Sequence, residues 1–311
     1  MVITTSLALR AAAQPRRTAI RPTASANNAN VLATRVVPPV LPKIFVYDHC
    51  PFCVRVRIAL GIKNVKHELI FLANDDVVRD FFHMTRSQQR NTQKDADTFP
   101  RPTPTHKKKQ ATPTSLVGKK VAPIMLIPGQ LVMNESLDIV KYFDERPEYG
   151  PTGAIKPKSD REDIKAWQKK VQTLLRLLHR PRYMLSPGFP EFQQADSRDY
   201  FVAGHQLPPY EKADWKANLS LDQKWTLYKQ AYESTPELLP DLNAALWELE
   251  QLIYSEYCCT EGGISMDDID LAARLRSVTL VRGAQFGPKT VAYLKNIEKL
   301  ADIPMYFKMA L

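Results

Sequence analysis

The stretch Lys43–Leu60, KIFVYDHCPFCVRVRIAL, places two cysteines between a strand pattern and a helix pattern. The run Ile44–Tyr47 is short and apolar, and it predicts a buried strand. Cys53–Leu60 predicts a helix, with Gly61 after it in the position that commonly ends a helix. A Cys-x-x-Cys pair that follows a strand and opens a helix, within a strand-helix-strand pattern, favours a redox centre.

Zinc and a structural disulfide are the alternatives to a redox role for Cys50 and Cys53. A zinc site needs four ligands, and the other two cysteines, Cys258 and Cys259, are adjacent and far along the chain, with no spaced His pair to complete a set. Structural disulfides are typical of small secreted domains. We therefore predict thiol chemistry at the first pair and interpret the second pair as helix-end thiols without a role.

The position of Cys50 at the start of a helix predicts that it is the nucleophile. Only a thiolate attacks a disulfide, and a free cysteine, with a pKa near ~8.5, is mostly protonated at neutral pH. Unpaired N–H groups and the positive end of the helix dipole favour the anion, and Pro51 suits the first turn because no donor is needed there. Cys53 lies one turn further on and is placed to attack a mixed disulfide at Cys50. His49 and Arg55 could add positive potential beside the thiol, but we interpret each of them as a solvated neighbour.

The order of the predicted elements up to residue 145 is that of a thioredoxin-like domain. A second strand, His67–Leu72, follows the first helix, and a crossover helix between two strands makes them parallel. Further on, Ala122–Ile127 and Gln130–Met133 are joined by Pro-Gly, a hairpin signal. A helix over Glu135–Glu145 follows the hairpin.

Helical patterns fill the rest of the chain. Residues 146–159 are rich in Pro, Gly and Lys and are predicted as an interdomain linker. Ser159 and Glu162 have the spacing of a capping box at the first helix beyond it. Apolar residues then recur at helical spacing, so residues 160–311 are predicted as an all-α domain that follows an α+β domain at 43–145.

The formal net charge of +10 at pH 7 is confined to two segments. Residues 1–43 carry +6 without one acidic residue, and residues 78–110 carry +5, which leaves the rest of the chain at −1. A nearly neutral folded part does not favour a nucleic-acid partner. No run of about 18 apolar residues occurs, so we expect no membrane span.

Both basic segments are predicted to lie outside the folded domains. Residues 1–42 have the Arg-, Ala-, Ser- and Thr-rich composition of an organellar transit peptide, with a disordered tail as the alternative, and we expect the chloroplast in preference to the mitochondrion. Residues 78–110 have no sustained apolar period and are predicted as a disordered insertion, with a functional basic loop as the alternative. The insertion begins with Val and ends with Gln, as a retained in-frame intron bounded by GT and AG would, which gives a hypothesis for its origin.

Several segments resemble the glutaredoxin 2 family, the glutaredoxins built on a glutathione-transferase fold. They are YDHCPFC, ELIFLANDD, ATPTSLVGKKVAPIM and NESLDIVKYFDE in the first part of the chain, and ISMDDIDLAARLRSVTLVRG with the closing helix in the second. The resemblance covers residues 43–311 except the insertion. It implies a thioredoxin-like N-terminal domain followed by an all-α glutathione-transferase-type C-terminal domain.

The resemblance also implies which residues bind glutathione. Pro123 stands where the family has a cis-proline, and the backbone of the preceding Ala122, where Val is usual, would meet the cysteinyl part of glutathione. Glu135 and Ser136 match a Glu-Ser pair at a helix N-terminus. A helix N-terminus attracts the γ-glutamyl carboxylate, and a Glu side chain pairs with the ammonium group.

The implied activity is that of a glutathione-dependent thiol-disulfide oxidoreductase that reduces protein-glutathione mixed disulfides and disulfides through the CPFC motif. Glutathione is the co-substrate, glutathione reductase supplies electrons from NADPH, and no tightly bound cofactor is needed. The expected partners are therefore glutathione, glutathionylated proteins and glutathione reductase, with no nucleic acid and no membrane.

Other functions of the same fold remain open. A glutathione transferase or a dehydroascorbate reductase would keep the glutathione site, and Cys53 favours the dithiol mechanism over both. A non-enzymatic interaction module would not need the intact CPFC motif. An iron-sulfur cluster shared by two chains is disfavoured by Pro51.

Overall fold

The computed structural model describes residues 38, 40–74 and 112–311. The predicted insertion at 78–110 lies outside these residues, and so does the predicted transit peptide apart from its last positions. In chain order the elements are β1 (Lys43–Val46), α1 (Pro51–Ile62), β2 (Glu68–Phe71), α2 (Pro113–Val117), β3 (Ile124–Ile127), β4 (Leu131–Asn134), α3 (Ser136–Asp144), α4 (Glu162–Leu185), α5 (Ala195–Gly204), α6 (Lys212–Asn218), α7 (Leu221–Glu233), α8 (Thr235–Leu252), α9 (Met266–Val278) and α10 (Pro288–Ala301).

The four strands form one mixed sheet in the order β2-β1-β3-β4. β1 is parallel to β2 and antiparallel to β3, and β3 and β4 form an antiparallel hairpin. The predicted parallel pair and the predicted hairpin are therefore confirmed. The sheet with α1 and α3 is the thioredoxin-like part of the chain, and from Glu162 onward the described elements are helical, as the sequence predicts.

The register of the sheet brings three parts of the chain to one end. Phe45 in β1 pairs with Ile124 in β3, so the residues just before Ile124 lie beside the end of β1. Ile124 also pairs with Asn134, the last residue of β4, so the start of α3 lies at the same end. Because β1 runs into α1, the N-terminus of α1 lies there as well.

Helix α1 is buried on most of its surface because it packs against α3 and also against α9 and α10 of the helical region. The prediction that Gly61 ends this helix is wrong, since α1 continues to Ile62 and Lys63 is its C-cap. A Cβ atom on Gly61 would lie 2.1 Å from the carbonyl oxygen of Ala301. The glycine is therefore needed for the close approach of α10 and not for a turn.

Helix α4 buries a stripe of apolar residues, including Trp167, whose Nε1–H donates a 2.7 Å hydrogen bond to the carbonyl of Ala245 in α8. The predicted capping box at Ser159 and Glu162 is wrong. Arg161 is the N-cap, and the backbone N–H of Ser159 donates instead to Asp267 of α9 at 2.7 Å. No helix among the described residues combines the length and the apolarity needed to cross a membrane.

Candidate active site

Cys50 is the N-cap residue of α1 and lies between the end of β1 and the start of the helix. Its backbone N–H donates to the carbonyl of Tyr47 at 3.3 Å, and its carbonyl accepts the first helical hydrogen bond, from Val54, at 3.0 Å. Pro51 occupies the first helical position, where no N–H donor is required. Backbone N–H groups of Phe52 and Cys53, in the first turn, therefore favour the thiolate of Cys50.

The two thiols of the motif differ in exposure and in acidity. Cys50 is half-buried, whereas Cys53 is fully buried and its sulfur accepts a 3.4 Å hydrogen bond from the backbone N–H of Tyr47. A hydrogen bond from the Cys53 thiol lowers the pKa of Cys50 to about 7, aided by the charge of His49 and by N–H groups of the first turn against the opposing effect of burial. Burial, together with the neighbouring Cys50 thiolate, raises the pKa of Cys53 well above its usual value. None of the four cysteines forms a disulfide in this structure.

Asp48, two residues before Cys50, is the centre of a buried charge network. Its carboxylate accepts hydrogen bonds from Arg57 of α1, from Arg276 of α9 at 3.1 and 3.2 Å, and from the hydroxyl of Tyr306 at 2.8 Å. Burial raises the pKa of Asp48, but the charges of Arg276 and Arg57 and the hydrogen bonds outweigh this and hold it well below its ordinary value. The carboxylate is thus ionised, and it fixes the loop before Cys50 to the helical region.

His49 is also buried, and its partner is Glu191 in the 3-10 helix Pro190–Phe192. One oxygen of Glu191 accepts the backbone N–H of His49 at 2.9 Å and lies 2.5 Å from Nδ1 of its ring. The interpretation of His49 as a solvated neighbour is therefore wrong.

Arg55 was expected to be solvated too, and that expectation is equally wrong. Its guanidinium is paired with Asp270 of α9, and it lies over the ring of Phe52 at 4.8 Å. Phe52 itself is 51% exposed beside Cys50, although it is a large apolar residue. The charge of Arg55 is therefore offset by that of Asp270.

The residues that the resemblance assigns to glutathione lie at the same end of the sheet as Cys50. The Ala122–Pro123 bond is cis, as the resemblance implies, and both residues immediately precede β3. Glu135 is the N-cap of α3, and Ser136, the first residue of that helix, is buried. Glu135 has a φ of +79°, a conformation that is strained for a residue with a side chain and that is common at ligand-binding positions.

Comparison with known proteins relates both parts of the chain to one group. Residues 163–310 match the family described as Glutaredoxin 2, C terminal domain, and residues 49–146 match the family described as Glutathione S-transferase, N-terminal domain. Glutaredoxin 2 of Escherichia coli strain K12 is 29% identical over 272 residues, which cover 86% of this chain and all of the relative. The chain is therefore similar to glutaredoxin 2 over most of its length.

A solved structure of the family superposes on the chain. It is Glutaredoxin 2 of Salmonella typhimurium, which was crystallised with glutathione and is 28% identical, with a TM-score of 0.64 over 88% of this chain and 100% of that chain. Glutaredoxin 2 of Escherichia coli O157:H7 is likewise 29% identical over 272 residues. The fold implied by the resemblance is thereby confirmed.

Sequence reasoning missed the side chains that the helical region contributes to the thiol site: Glu191, Arg276 and Tyr306. A signal existed for Arg276, which follows Ile269, Ala272 and Ala273 at spacings of seven, four and three residues and so falls on the buried face of α9. Glu191 lies in a short segment without periodicity, PGFPEFQQ, and nothing in its neighbourhood distinguishes it from a surface residue.

Cys258 and Cys259 do not end a helix as expected but lie in the buried turn between α8 and α9. The backbone N–H of Cys259 donates to Asp268, and burial raises the pKa of the Cys259 thiol. A buried thiol with a raised pKa is unreactive. Across the ranges 40–74 and 112–311, no cluster of three or more His, Cys, Asp or Glu side chains could hold a metal ion.

Proposed function

We propose that this chain, a glutathione-dependent oxidoreductase of the glutaredoxin 2 family, reduces protein-glutathione mixed disulfides and disulfides with Cys50 as the nucleophile. The difference between the two thiols carries the proposal. Cys50 is half-buried at a helix N-terminus, with a pKa of about 7, so roughly half of it is thiolate at neutral pH. Cys53 is buried, with a raised pKa, and remains a thiol.

The first step is an exchange of one disulfide for another. The Cys50 thiolate attacks the glutathione sulfur of a protein-glutathione mixed disulfide, the protein thiolate leaves and takes up a proton, and glutathione remains bonded to Cys50. A second glutathione thiolate then attacks this mixed disulfide, which releases glutathione disulfide and restores Cys50. In the dithiol route the Cys53 thiolate attacks the Cys50 sulfur instead, which forms a Cys50–Cys53 disulfide and releases glutathione. Two glutathione molecules then reduce this disulfide, restore both cysteines and leave as glutathione disulfide.

The acidity of Cys53 favours the route through a second glutathione. Burial is the largest cause of its raised pKa, and burial persists when Cys50 carries glutathione, although the hydrogen bond to Cys50 and the charge of Cys50 are then lost. Attack by a second glutathione needs no deprotonation of Cys53. We therefore expect Cys53 to be dispensable for removing glutathione and required only for protein disulfides.

Glutathione would be held at the end of the sheet described above. The backbone of Ala122 before cis-Pro123 would pair with its cysteinyl part, and the N-terminus of α3 with Glu135 and Ser136 would hold its γ-glutamyl group. The position of both segments beside the N-terminus of α1 supports this assignment, as does the Salmonella relative crystallised with glutathione.

The proposed partners are glutathionylated proteins, with glutathione reductase and NADPH as the electron source. We also propose an organellar location, the chloroplast in preference to the mitochondrion, and the composition of residues 1–42 is its support. Imaging a fluorescent protein fused to residues 1–42 tests the location.

The experiment compares wild type, Cys50→Ser and Cys53→Ser for removal of glutathione from a small mixed disulfide, with glutathione, glutathione reductase and NADPH present. We expect wild type and Cys53→Ser to turn over and Cys50→Ser to be inactive. Turnover by Cys50→Ser would contradict the assignment of the nucleophile. If all three proteins are inactive, the assay is repeated with residues 78–110 deleted, and continued inactivity refutes the proposed function.

A further inference from the structure

Glu191 is a buried carboxylate that the proposed steps of the reaction do not use. It is 1% exposed, and it comes from the 3-10 helix that follows α4, far along the chain from the CPFC motif. Its Oε1 atom accepts the backbone N–H of His49 and contacts Nδ1 of the His49 ring. Its Oε2 atom is buried and has no hydrogen-bond partner within the part of the chain that the structure describes.

A carboxylate in such surroundings needs a positive partner. Aromatic rings enclose the pair, and their centroids lie 5.0 Å (Tyr183), 4.8 Å (Phe192) and 5.2 Å (Phe201) from that of His49. An unpaired ion in such a site costs several kcal/mol, whereas an ion pair with good hydrogen bonds offsets that cost. A carboxylate oxygen accepts hydrogen bonds, so the 2.5 Å contact with Oε1 is suited to an N–H donor at Nδ1 of His49.

The groups around His49 leave few other sources of positive charge near the thiol. The titratable and charged groups that face the pair are Tyr47, Cys50, Cys53, His179, Tyr183, His205, Arg276 and Tyr306. Burial lowers the pKa of His179 well below its usual value and that of His205 to about 3, so both rings are neutral at neutral pH. Arg276 donates hydrogen bonds to the carboxylate of Asp48, so its charge is paired.

We propose that Glu191 is a positioning residue of the thiol site, which holds His49 as an imidazolium against Cys50 and so maintains the Cys50 thiolate. His49 is bonded to Cys50 in the chain, and its positive charge is one of the influences that favour the thiolate. The inference rests on the proposed role of Cys50 as the nucleophile. It makes the helical region responsible for part of the reactivity of a motif that lies in the thioredoxin-like region.

The test measures the rate at which iodoacetamide alkylates Cys50 in the reduced, full-length protein between about pH 5 and about pH 9, with the alkylated peptide quantified by mass spectrometry. The variants are Glu191→Gln, which keeps the shape and removes the charge, His49→Asn, and the combination of the two. Glu250→Gln is the matched control, because Glu250 is also a buried carboxylate but accepts hydrogen bonds from Lys289 and Thr290 at the start of α10.

We expect Glu191→Gln to raise the midpoint of the pH profile by about one pH unit, since loss of a neighbouring positive charge raises a thiol pKa by about that amount. Alkylation at pH 7 then slows about fivefold, because the thiolate fraction falls from about one half to about one tenth. Glu250→Gln keeps the wild-type midpoint, and Glu191→Gln causes no further shift in the His49→Asn background.

Two results overturn the proposal. One is an unchanged midpoint of the pH profile in a Glu191→Gln protein that is folded, as judged by wild-type near-ultraviolet circular dichroism. The other is a Glu191→Gln shift of the same size in the His49→Asn background. If Glu191→Gln does not fold, nitrogen-15 NMR of the wild-type His49 ring at neutral pH decides: an imidazolium supports the proposal and a neutral ring refutes it. The alkylation assay contains no glutathione and needs no turnover. Its result is therefore independent of whether the protein removes glutathione from mixed disulfides.

Discussion

Replacing Asp48 by Asn tests whether the buried charge network holds the loop before Cys50. The substitution keeps the size of the side chain and removes its charge, and it leaves Arg57 and Arg276, which are 4% and 2% exposed, without a counterion. Removing one partner of a buried ion pair costs about 3–5 kcal/mol, because the other charge stays buried and unpaired. Asp48→Asn should therefore lower the free energy of unfolding by that amount and the Tm by roughly 5–10 °C.

The pH dependence of this loss has a defined sign. The pKa of Asp48 is lower in the folded protein than in the unfolded chain, so its contribution to stability is complete above the unfolded value of about 3.9 and is lost as the pH falls toward the folded pKa. The difference in stability between wild type and Asp48→Asn should be full at neutral pH and should shrink below about pH 4.

Thermal and urea unfolding at neutral pH and at about pH 3 measure both effects. Asp163→Asn is the control, since Asp163 is a surface carboxylate paired with Arg161, and exposed pairs contribute about 0–1 kcal/mol. If Asp48→Asn is no less stable than Asp163→Asn at neutral pH, the network does not hold the loop and the reasoning from burial is refuted.

Two further substitutions test the packing of α1 and the glutathione site. Gly61→Ala should destabilise the protein by roughly 1–3 kcal/mol in urea unfolding, because its Cβ would overlap the backbone of Ala301, while Gly204→Ala, where a Cβ meets nothing within 4 Å, should be neutral or slightly stabilising; equal effects would contradict the packing argument. Ser136→Ala should raise the KM for glutathione about tenfold through loss of a hydrogen bond to a charged group, with Ser220→Ala, which removes only the α7 cap, as control. Wild-type KM in Ser136→Ala would remove Ser136 from the proposed site.

The parts of the site that depend on neighbouring residues could be predicted from the sequence. Cys50 and Cys53 lie at a strand-helix junction. The largest cause of the lowered Cys50 pKa is the hydrogen bond from Cys53, three residues further on, and N–H groups of the same helical turn add to it, so the local pattern was sufficient to identify the more acidic thiol. The hairpin was equally predictable, because its turn and its two strands are contiguous in the chain.

The predictions that failed depended on distant segments. Gly61 resembles a helix terminator in its local context, but its actual constraint is Ala301, which no local pattern contains. Ser159 and Glu162 have capping-box spacing, yet the backbone of Ser159 bonds to Asp267 in a helix more than one hundred residues later. In both cases tertiary packing outweighed a local preference of about 1 kcal/mol.

The charged residues around the CPFC motif also depend on distant segments of the chain. For this reason the motif alone does not fix the acidity of its thiols. Asp48, His49 and Arg55 read as ordinary polar residues, but each has a partner in the helical region: Arg276, Glu191 and Asp270. These partners have different consequences. Arg276 fixes the loop, Glu191 holds the proposed positive ring of His49 beside the thiol, and Asp270 offsets the charge of Arg55. The acidity of Cys50 is therefore a property of both regions together. A chain with the same CPFC motif but other partners in the helical region would have a Cys50 thiol with a different pKa.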